Sequence, residues 1–299
     1  MLAVYGGAFL LKETRYRFSM RVAAIQLCSQ DDVETNLSAA GALVRQAAAE
    51  GADLLVLPEG FAYLGRDEGR QFLAEEAGAG GPIETAVSSW SRELGVHIIA
   101  GGMPEVSTEP ARPFNSSLLF DPQGVIIARY RKLHLFDVSL SDGTAFRESR
   151  ATSPGSAPVV ADIGDIRVGM SICYDVRFAP LYGWQRNQGA HLLTVPAAFT
   201  KTTGAAHWEV LLRARAIETQ CWLVAAAQEG EHPHGRKTYG QSMIVDPWGN
   251  IVAQKLHPGS GFVLADIDMQ ALHRVRTQIP VEEHELFSKP RWNKPKNSE

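Results

Sequence analysis

Three residues of the 299-residue sequence have the types needed for covalent chemistry, and each stands where an apolar run ends. Cys173 closes DIRVGMSIC and is followed by the polar and aromatic YDVRF. Glu59 leaves LLVLPEGF, which carries no other charge, directly after Pro58, a residue that ends strand pairing. Lys132 lies just past VIIARY in YRKLHLFDV, beside Arg129 and Arg131. Each has an ordinary explanation when taken singly. A lone cysteine is commonly a small buried hydrophobe, and a charged residue at a strand exit is commonly a solvated loop residue. Together they offer a nucleophile that attacks as a thiolate, a carboxylate to take its proton, and a cation to hold developing negative charge.

The elements that must position them follow from hydrophobic periodicity. RVAAIQL (21–27) reads as a strand, and residues 32–50 carry Val33, Leu37, Ala40, Leu43, Val44 and Ala47 at helical spacing before Gly51. DLLVLPE (53–59) has the continuous apolar character of a strand covered on both faces; a helix over 82–94 and the strand VHIIAGG (96–102) come next. SSLLF and VIIARY flank a DPQG turn at 121–124, and QSMIVDPWGNIVA repeats the device around 246–249. The pattern is α/β with mixed parallel and antiparallel pairing, and no internal repeat of fixed period is visible.

Composition narrows the classes. With 45% apolar and 21% charged residues, the chain can bury a sizeable core. A net charge of −4 disfavours nucleic acid and acidic membrane as partners, and no run reaches the roughly 18 apolar residues of a membrane helix. Cys28, Cys173 and Cys221 are odd in number and widely spaced, which suggests neither a disulfide framework nor a zinc ribbon and predicts a reducing, cytoplasmic compartment. Residues 1–20 place apolar residues before Lys12, Arg15 and Arg17, the reverse of a secretory signal, and read as an upstream extension. A single domain is expected over 21–280, followed by a Pro- and Lys-rich tail over 281–299.

LLVLPEGF, YRKLHLFDV and GMSICYDVRF resemble, in order and separation, the three signature blocks of the nitrilase superfamily of carbon–nitrogen hydrolases. The likeness runs from Arg21 to about Pro280 and includes GPIETAVSSWSRELGVHIIAGG and TTGAAHWEVLLRARAIETQCWLVAAAQ. The latter is similar to the branch that contains deaminated glutathione amidase and ω-amidase. The resemblance implies a four-layer αββα sandwich, a homodimer formed by extending the sandwich, a Glu-Lys-Cys site and no cofactor.

Carried over by position, Glu59 is the general base, Lys132 the oxyanion cation and Cys173 the nucleophile, with Glu148 in GTAFRES as a supporting carboxylate and Tyr174 as a backbone oxyanion donor. Nitrile-cleaving members carry Trp-Glu after the cysteine where this chain has Tyr174 and Asp175, which favours an amide. Related proteins line the acyl pocket at the positions of Arg177, Phe199 and Thr203, and a guanidinium at Arg177 would clasp a carboxylate, unless it pairs with Asp175 instead. The expected reaction is hydrolysis of the terminal amide of a small carboxylate-bearing substrate, of the deaminated glutathione type, to carboxylic acid and ammonia through a cysteine thioester. An ω-amidase or another aliphatic amidase or carbamoylase on the same residues stays open, as does a binding scaffold without turnover.

Other residues have quieter readings. His207 and Trp208 are expected to open a helix on which Arg213, Arg215 and Glu218 form ion pairs. His232, His234 and His257 lack metal-ligand spacing, so no metal is assigned. Cys28 and Cys221 are expected to be inert packing, and the segments 63–80 and 229–238 read as loops bordering the pocket.

Overall fold

The chain is described from a computed structural model over residues 19–139 and 145–286, and the first described element is a strand, Ser19–Gln26. It starts two residues before Arg21 because Ser19 and Met20 already pair with Asp268 and Ile267 of the antiparallel strand Gly261–Asp268. Most of the proposed 1–20 extension lies outside the described residues; of the tail, Val281–His284 forms a short helix. Asp32 caps the helix Val33–Ala49, its carboxylate accepting from the Thr35 N–H at 2.7 Å. The helix Pro82–Leu94 takes Pro82 in its opening turn and stops at Gly95, whose φ of 67° is left-handed.

Two six-stranded sheets form. The first runs, edge to edge, Gly261–Asp268, Ser19–Gln26, Leu54–Val56, His97–Glu105, Phe114–Phe120 and Ile126–Arg131; the second runs Ile251–Gln254, Met243–Val245, Trp222–Ala225, Leu192–Thr194, Ile166–Met170 and Val159–Ile163. In each sheet three consecutive strands are parallel, with one antiparallel strand on one side and two on the other. The sheets thus share a pairing pattern although the sequence has no periodic repeat. Their late hairpins even share turn chemistry: Asp121 accepts from the N–H groups of Gln123 and Val125, and Asp246 from those of Trp248 and Asn250.

Alternation along the strands decides the layers. In the first strand Ala23 and Ile25 point outward against Ala40, Val44, Val87 and Trp90 of the two helices above, while Val22 and Ala24 face the second sheet. The second sheet's outer face is covered by Leu181 and Tyr182 of helix Ala179–Asn187 and by Trp208, Leu212 and Ala216 of helix Lys201–Thr219. The architecture is the four-layer αββα sandwich. Four expectations shift. The helix assigned to start at His207 begins at Lys201, where Thr-Thr-Gly-Ala-Ala hides the helical pattern; Gly204 is needed there because a Cβ would stand 2.3 Å from the Tyr239 Cβ. The segment 63–80 contains a short helix, Asp67–Phe72, and 229–238 folds into a hairpin, Glu229–Glu231 with Lys237–Tyr239. Cys28 is half-buried rather than packed away, whereas Cys221 is buried.

Candidate active site

Glu59 and Cys173 leave the two sheets at corresponding places, each three residues past a parallel strand that ends at Val56 or Met170. Carboxyl ends of parallel strands are where open α/β sheets present chemistry. Lys132 follows Arg131, the last residue of an antiparallel edge strand, and its N–H donates to the Asn115 carbonyl at 2.8 Å. The sandwich therefore delivers three residues far apart in sequence to one point.

Lys132 is fully enclosed, only 2% exposed. Its Nζ donates to Glu59 Oε1 at 3.0 Å and to both oxygens of Glu148 at 2.9 Å. Glu148 is held in turn by the Phe136 N–H, which donates to its Oε2 at 2.7 Å. Glu59 also accepts from Asn115 Nδ2 at 2.9 Å on Oε1 and from the Ala198 N–H at 3.0 Å on Oε2, and the Cys173 thiol is near enough for the two groups to shift each other's ionisation. A buried cation between two carboxylates, with further donors on each, is the arrangement that makes buried charge tolerable. The close approach explains the Gly-Gly of VHIIAGG: Gly102 has φ 67°, and a Cβ there would stand 2.9 Å from Glu59 Cγ and 2.9 Å from Asn115 Oδ1.

The charges follow from this geometry. Burial pushes the Glu59 carboxyl up, but Lys132 and Arg236 pull harder and leave it down at about 2. Burial pushes Lys132 down, and Glu148 and Glu59 more than restore it, so its pKa ends above that of an ordinary lysine. Burial and the Glu59 charge together drive the Cys173 thiol well above its usual value. The resting site is a thiol beside a carboxylate and an ammonium ion.

Cys173 does not end a strand, as its apolar run suggests. Pairing stops at Met170, and Cys173 opens a short 3-10 helix, Cys173–Arg177, with φ 49°, a left-handed conformation rare for residues other than glycine. Asp175 maintains this turn. Its Oδ2 accepts from the Ile172 N–H at 2.8 Å and from the Tyr130 hydroxyl at 2.6 Å, while Oδ1 lies 2.7 Å from His134 Nδ1. The Cys173 N–H donates to the Pro196 carbonyl at 2.8 Å.

A cavity of about 270 Å³ opens over Glu59, Lys132, Glu148 and Cys173, with Tyr174, Phe199 and Thr203 also in its wall. Tyr63, Arg70 and Arg236 reach it from the two segments expected to border it. Arg177 stands beside the cavity: its guanidinium lies over the rings of two lining residues, Phe199 at 5.2 Å and Tyr174 at 5.9 Å, and its Nη1 sits 3.2 Å from His207 Nδ1. It does not pair with Asp175, whose carboxylate is taken by Tyr130, Ile172 and His134. Of the helix ions, Arg215 pairs with Glu218 at 2.6 Å and Arg213 with Glu209 at 3.3 Å. Sequence reasoning missed Asn115 and Arg236. Asn115 had a signal, a lone amide at the head of the apolar strand FNSSLLF; Arg236 had none beyond its place in a bordering loop.

The sequence matches the carbon–nitrogen hydrolase family over residues 21–277. It is 42% identical over 268 residues to a Yersinia enterocolitica protein named deaminated glutathione amidase, covering 89% of this chain and 93% of that one. Among solved structures, the C. elegans NitFhit protein superposes with a TM-score of 0.84 at 38% identity, covering 90% of this chain, which spans 65% of NitFhit's length. Saccharomyces cerevisiae Nit3, a member of branch 10 of the nitrilase superfamily, superposes with a TM-score of 0.81 at 27% identity, covering 90% of this chain and 97% of that one. With the family match spanning both sheets and all three strand-exit residues, the chain belongs to the carbon–nitrogen hydrolases of the nitrilase superfamily.

Proposed function

We propose that this hydrolase cleaves the amide of a small carboxylate-bearing acyl group, of the deaminated glutathione type, through a thioester on Cys173. The observation that carries the reading is the meeting of the Cys173 thiol, the Glu59 carboxylate and the Lys132 ammonium on one wall of the cavity. The name of the Yersinia relative supplies the substrate class.

The chemistry follows from the resting charges. Glu59 takes the thiol proton as the sulfur attacks the amide carbon, so no standing thiolate is needed. Once protonated, Glu59 loosens its hold on Lys132, and an Nζ–H becomes available as the carbonyl oxygen turns negative. The Tyr174 N–H, in the opening turn of the 3-10 helix where donors have no partner within the helix, is the second donor. Glu59 then returns its proton to the departing amine and activates water against the thioester. Glu148 keeps Lys132 aimed throughout, because two of its oxygens engage the ammonium. In deaminated glutathione the scissile amide joins the 2-oxo acyl group to a cysteinylglycine unit, so the leaving group is that dipeptide's amine and not the ammonia expected of a terminal amide, and the acid product is 2-oxoglutarate.

Incubation with deaminated glutathione should therefore release 2-oxoglutarate and cysteinylglycine together, and release of neither would sink the substrate assignment. The pH profile tests the charges. Glu59 ionises below the usual carboxylate range and Cys173 above the usual thiol range, so kcat/KM should be flat between about pH 5.5 and 8.5; a limb centred near neutrality would contradict a thiol–carboxylate resting pair. A homodimer and a cytoplasmic location belong to the same reading. Val210 and Ile217 of the helix Lys201–Thr219, and Trp248 in the turn packed beside it, expose apolar side chains, where a second copy would extend the sandwich, and sedimentation as a monomer would argue against it.

A further inference from the structure

Deaminated glutathione carries two carboxylates, one on the 2-oxo acyl group and one at the glycine end of the leaving dipeptide, and the cavity holds charge for more than one. Its wall sets Lys132, Arg70, Arg147 and Arg236 against Glu59, Glu148 and Asp67, and Arg177 stands beside it. Lys132 is neutralised in place by Glu59 and Glu148. Arg236 acts on the ionisation of Glu59, so its field falls on the reacting atoms. Arg147 is exposed and gives its guanidinium to the Val138 and Phe146 carbonyls and to Ser139 Oγ, at 2.7, 2.8 and 3.0 Å. Arg70 differs. It is half-buried, its Nη1 donates to Thr152 Oγ1 at 3.0 Å, and no described carboxylate lies within ion-pair distance of it. A guanidinium has five N–H donors, so most of those on Arg70 are uncommitted.

The element that carries Arg70 is braced. Just before the short helix Asp67–Phe72, the Leu64 N–H donates to the Gln30 carbonyl at 3.0 Å, and from within it Gln71 Nε2 donates to the Ala111 carbonyl at 2.9 Å. The Tyr63 hydroxyl donates to the Arg66 carbonyl at 3.2 Å, and the ring packs so closely that a Cβ at Gly65 or Gly69 would overlap it. Thr152, which receives Arg70, is fully buried. This helix follows the first sheet's strand Leu54–Val56, whereas Phe199 and Thr203 follow the second sheet's strand Leu192–Thr194. The cavity thus draws Arg70 and the acyl-pocket residues from different halves of the sandwich. Two residues of extended chain span up to about 7 Å, so the glycine carboxylate of the leaving dipeptide lies well away from the reacting carbon.

We propose that Arg70 takes the glycine-end carboxylate of the leaving cysteinylglycine unit and sets a preference for amides whose leaving group ends in a carboxylate. The inference deepens the amidase reading above and rests on it. A guanidinium offers two parallel N–H donors to a carboxylate, which adds geometric selection to charge. With the acyl group on the side of Phe199 and Thr203, a second anchor at the far end of the substrate draws the scissile amide across Cys173 and limits the poses it can take. Arg70 touches no reacting atom. Its contact is the same before and during attack by the sulfur, so it acts as uniform binding and belongs in KM.

The test compares wild type, Arg70→Gln and Arg70→Lys on deaminated glutathione and on the same molecule with its glycine carboxylate converted to the carboxamide, by release of 2-oxoglutarate. The two substrates share the acyl group and the scissile bond and differ in one terminal charge. In wild type kcat/KM should favour the carboxylate by about tenfold or more, mostly through KM; in Arg70→Gln the ratio should fall to about one, with Arg70→Lys intermediate. A wild-type ratio near one, or a ratio unchanged in Arg70→Gln with both substrates reduced alike, overturns the proposal. A second arm needs no turnover: in a Cys173→Ala background, calorimetry should show the Kd of deaminated glutathione rising about tenfold on adding Arg70→Gln and that of the carboxamide changing by less than about threefold. Equal weakening of the two, or binding of neither, overturns the proposal. If wild type cleaved neither compound, the amidase reading would fall while the calorimetric arm still decided whether Arg70 holds the carboxylate.

Discussion

Replacing Cys173 by alanine is expected to lower kcat/KM by at least about 10⁴-fold while leaving the protein folded, because removal of a covalent nucleophile leaves only binding and oxyanion stabilisation. No second nucleophile is at hand: Cys28 is half-buried near the Glu231 carbonyl and Cys221 is buried against the Ala190 carbonyl, neither in the cavity lining. Cys173→Ser should fail almost as badly. Glu59 is held well down by its cationic neighbours, and a base that weak is poorly matched to an alcohol, whose proton is far harder to remove than that of a thiol. The fold should tolerate both changes, since Ala and Ser accept the left-handed φ of position 173 about as well as Cys. Acid-quenched wild type should carry the acyl group on the peptide containing Cys173, and the alanine variant should carry none. Turnover surviving in Cys173→Ala would remove the thioester from the mechanism.

Lys132→Met should lose both activity and stability. One oxyanion donor is worth about 10²–10³ in kcat, and Lys132 also orders Glu59, so the loss should reach at least the upper figure. Stability should fall by about 3–5 kcal/mol, the cost of leaving buried charge uncompensated, because Glu59 and Glu148 would share an enclosed site without their cation. The pH dependence carries the sign. In wild type the folded Glu59 pKa is depressed, so its contribution to stability is present above the unfolded value near 4.5 and is lost as pH falls toward about 2. In the variant burial remains and the lysine does not, so Glu59 moves up. The folded state then binds more protons than the unfolded state, and stability rises as pH falls. Urea unfolding should therefore show a wild-type–variant gap that is smaller at pH 5 than at pH 8. Adding Glu148→Gln to Lys132→Met should recover much of the stability and none of the turnover. A gap independent of pH would mean that lost packing, not uncompensated charge, explains the destabilisation.

The legible part of this protein was local. Strand exits at Glu59, Lys132 and Cys173 stood out because continuous apolar runs stop there, and the paired DP-x-G turns were plain because Asp and Gly are what such turns require. The helix Pro82–Leu94 was likewise written in its Pro, its periodicity and its final glycine. Even so, the last turns toward function were misread where local signal is thin: the helix at Lys201 is masked by small residues, and the left-handed turn at Cys173 depends on Asp175 being held by Tyr130 and His134, from a strand of the other sheet and the loop after it.

What lay beyond local pattern was meeting and charge. Residue types and periodicity specify elements, but which polar groups come within 3 Å depends on how two sheets close, and that is a property of the packed whole. Asn115 joins Glu59 only because the strands carrying them lie either side of His97–Glu105. Arg177, four residues from the nucleophile, lies over the aromatic faces of Tyr174 and Phe199, and Arg236, far along the chain, is carried back by a hairpin to the cavity. The ionisation of the site belongs to the same class, because burial and through-space charge, which set Glu59 low and Cys173 high, act across distances that have no counterpart in sequence separation.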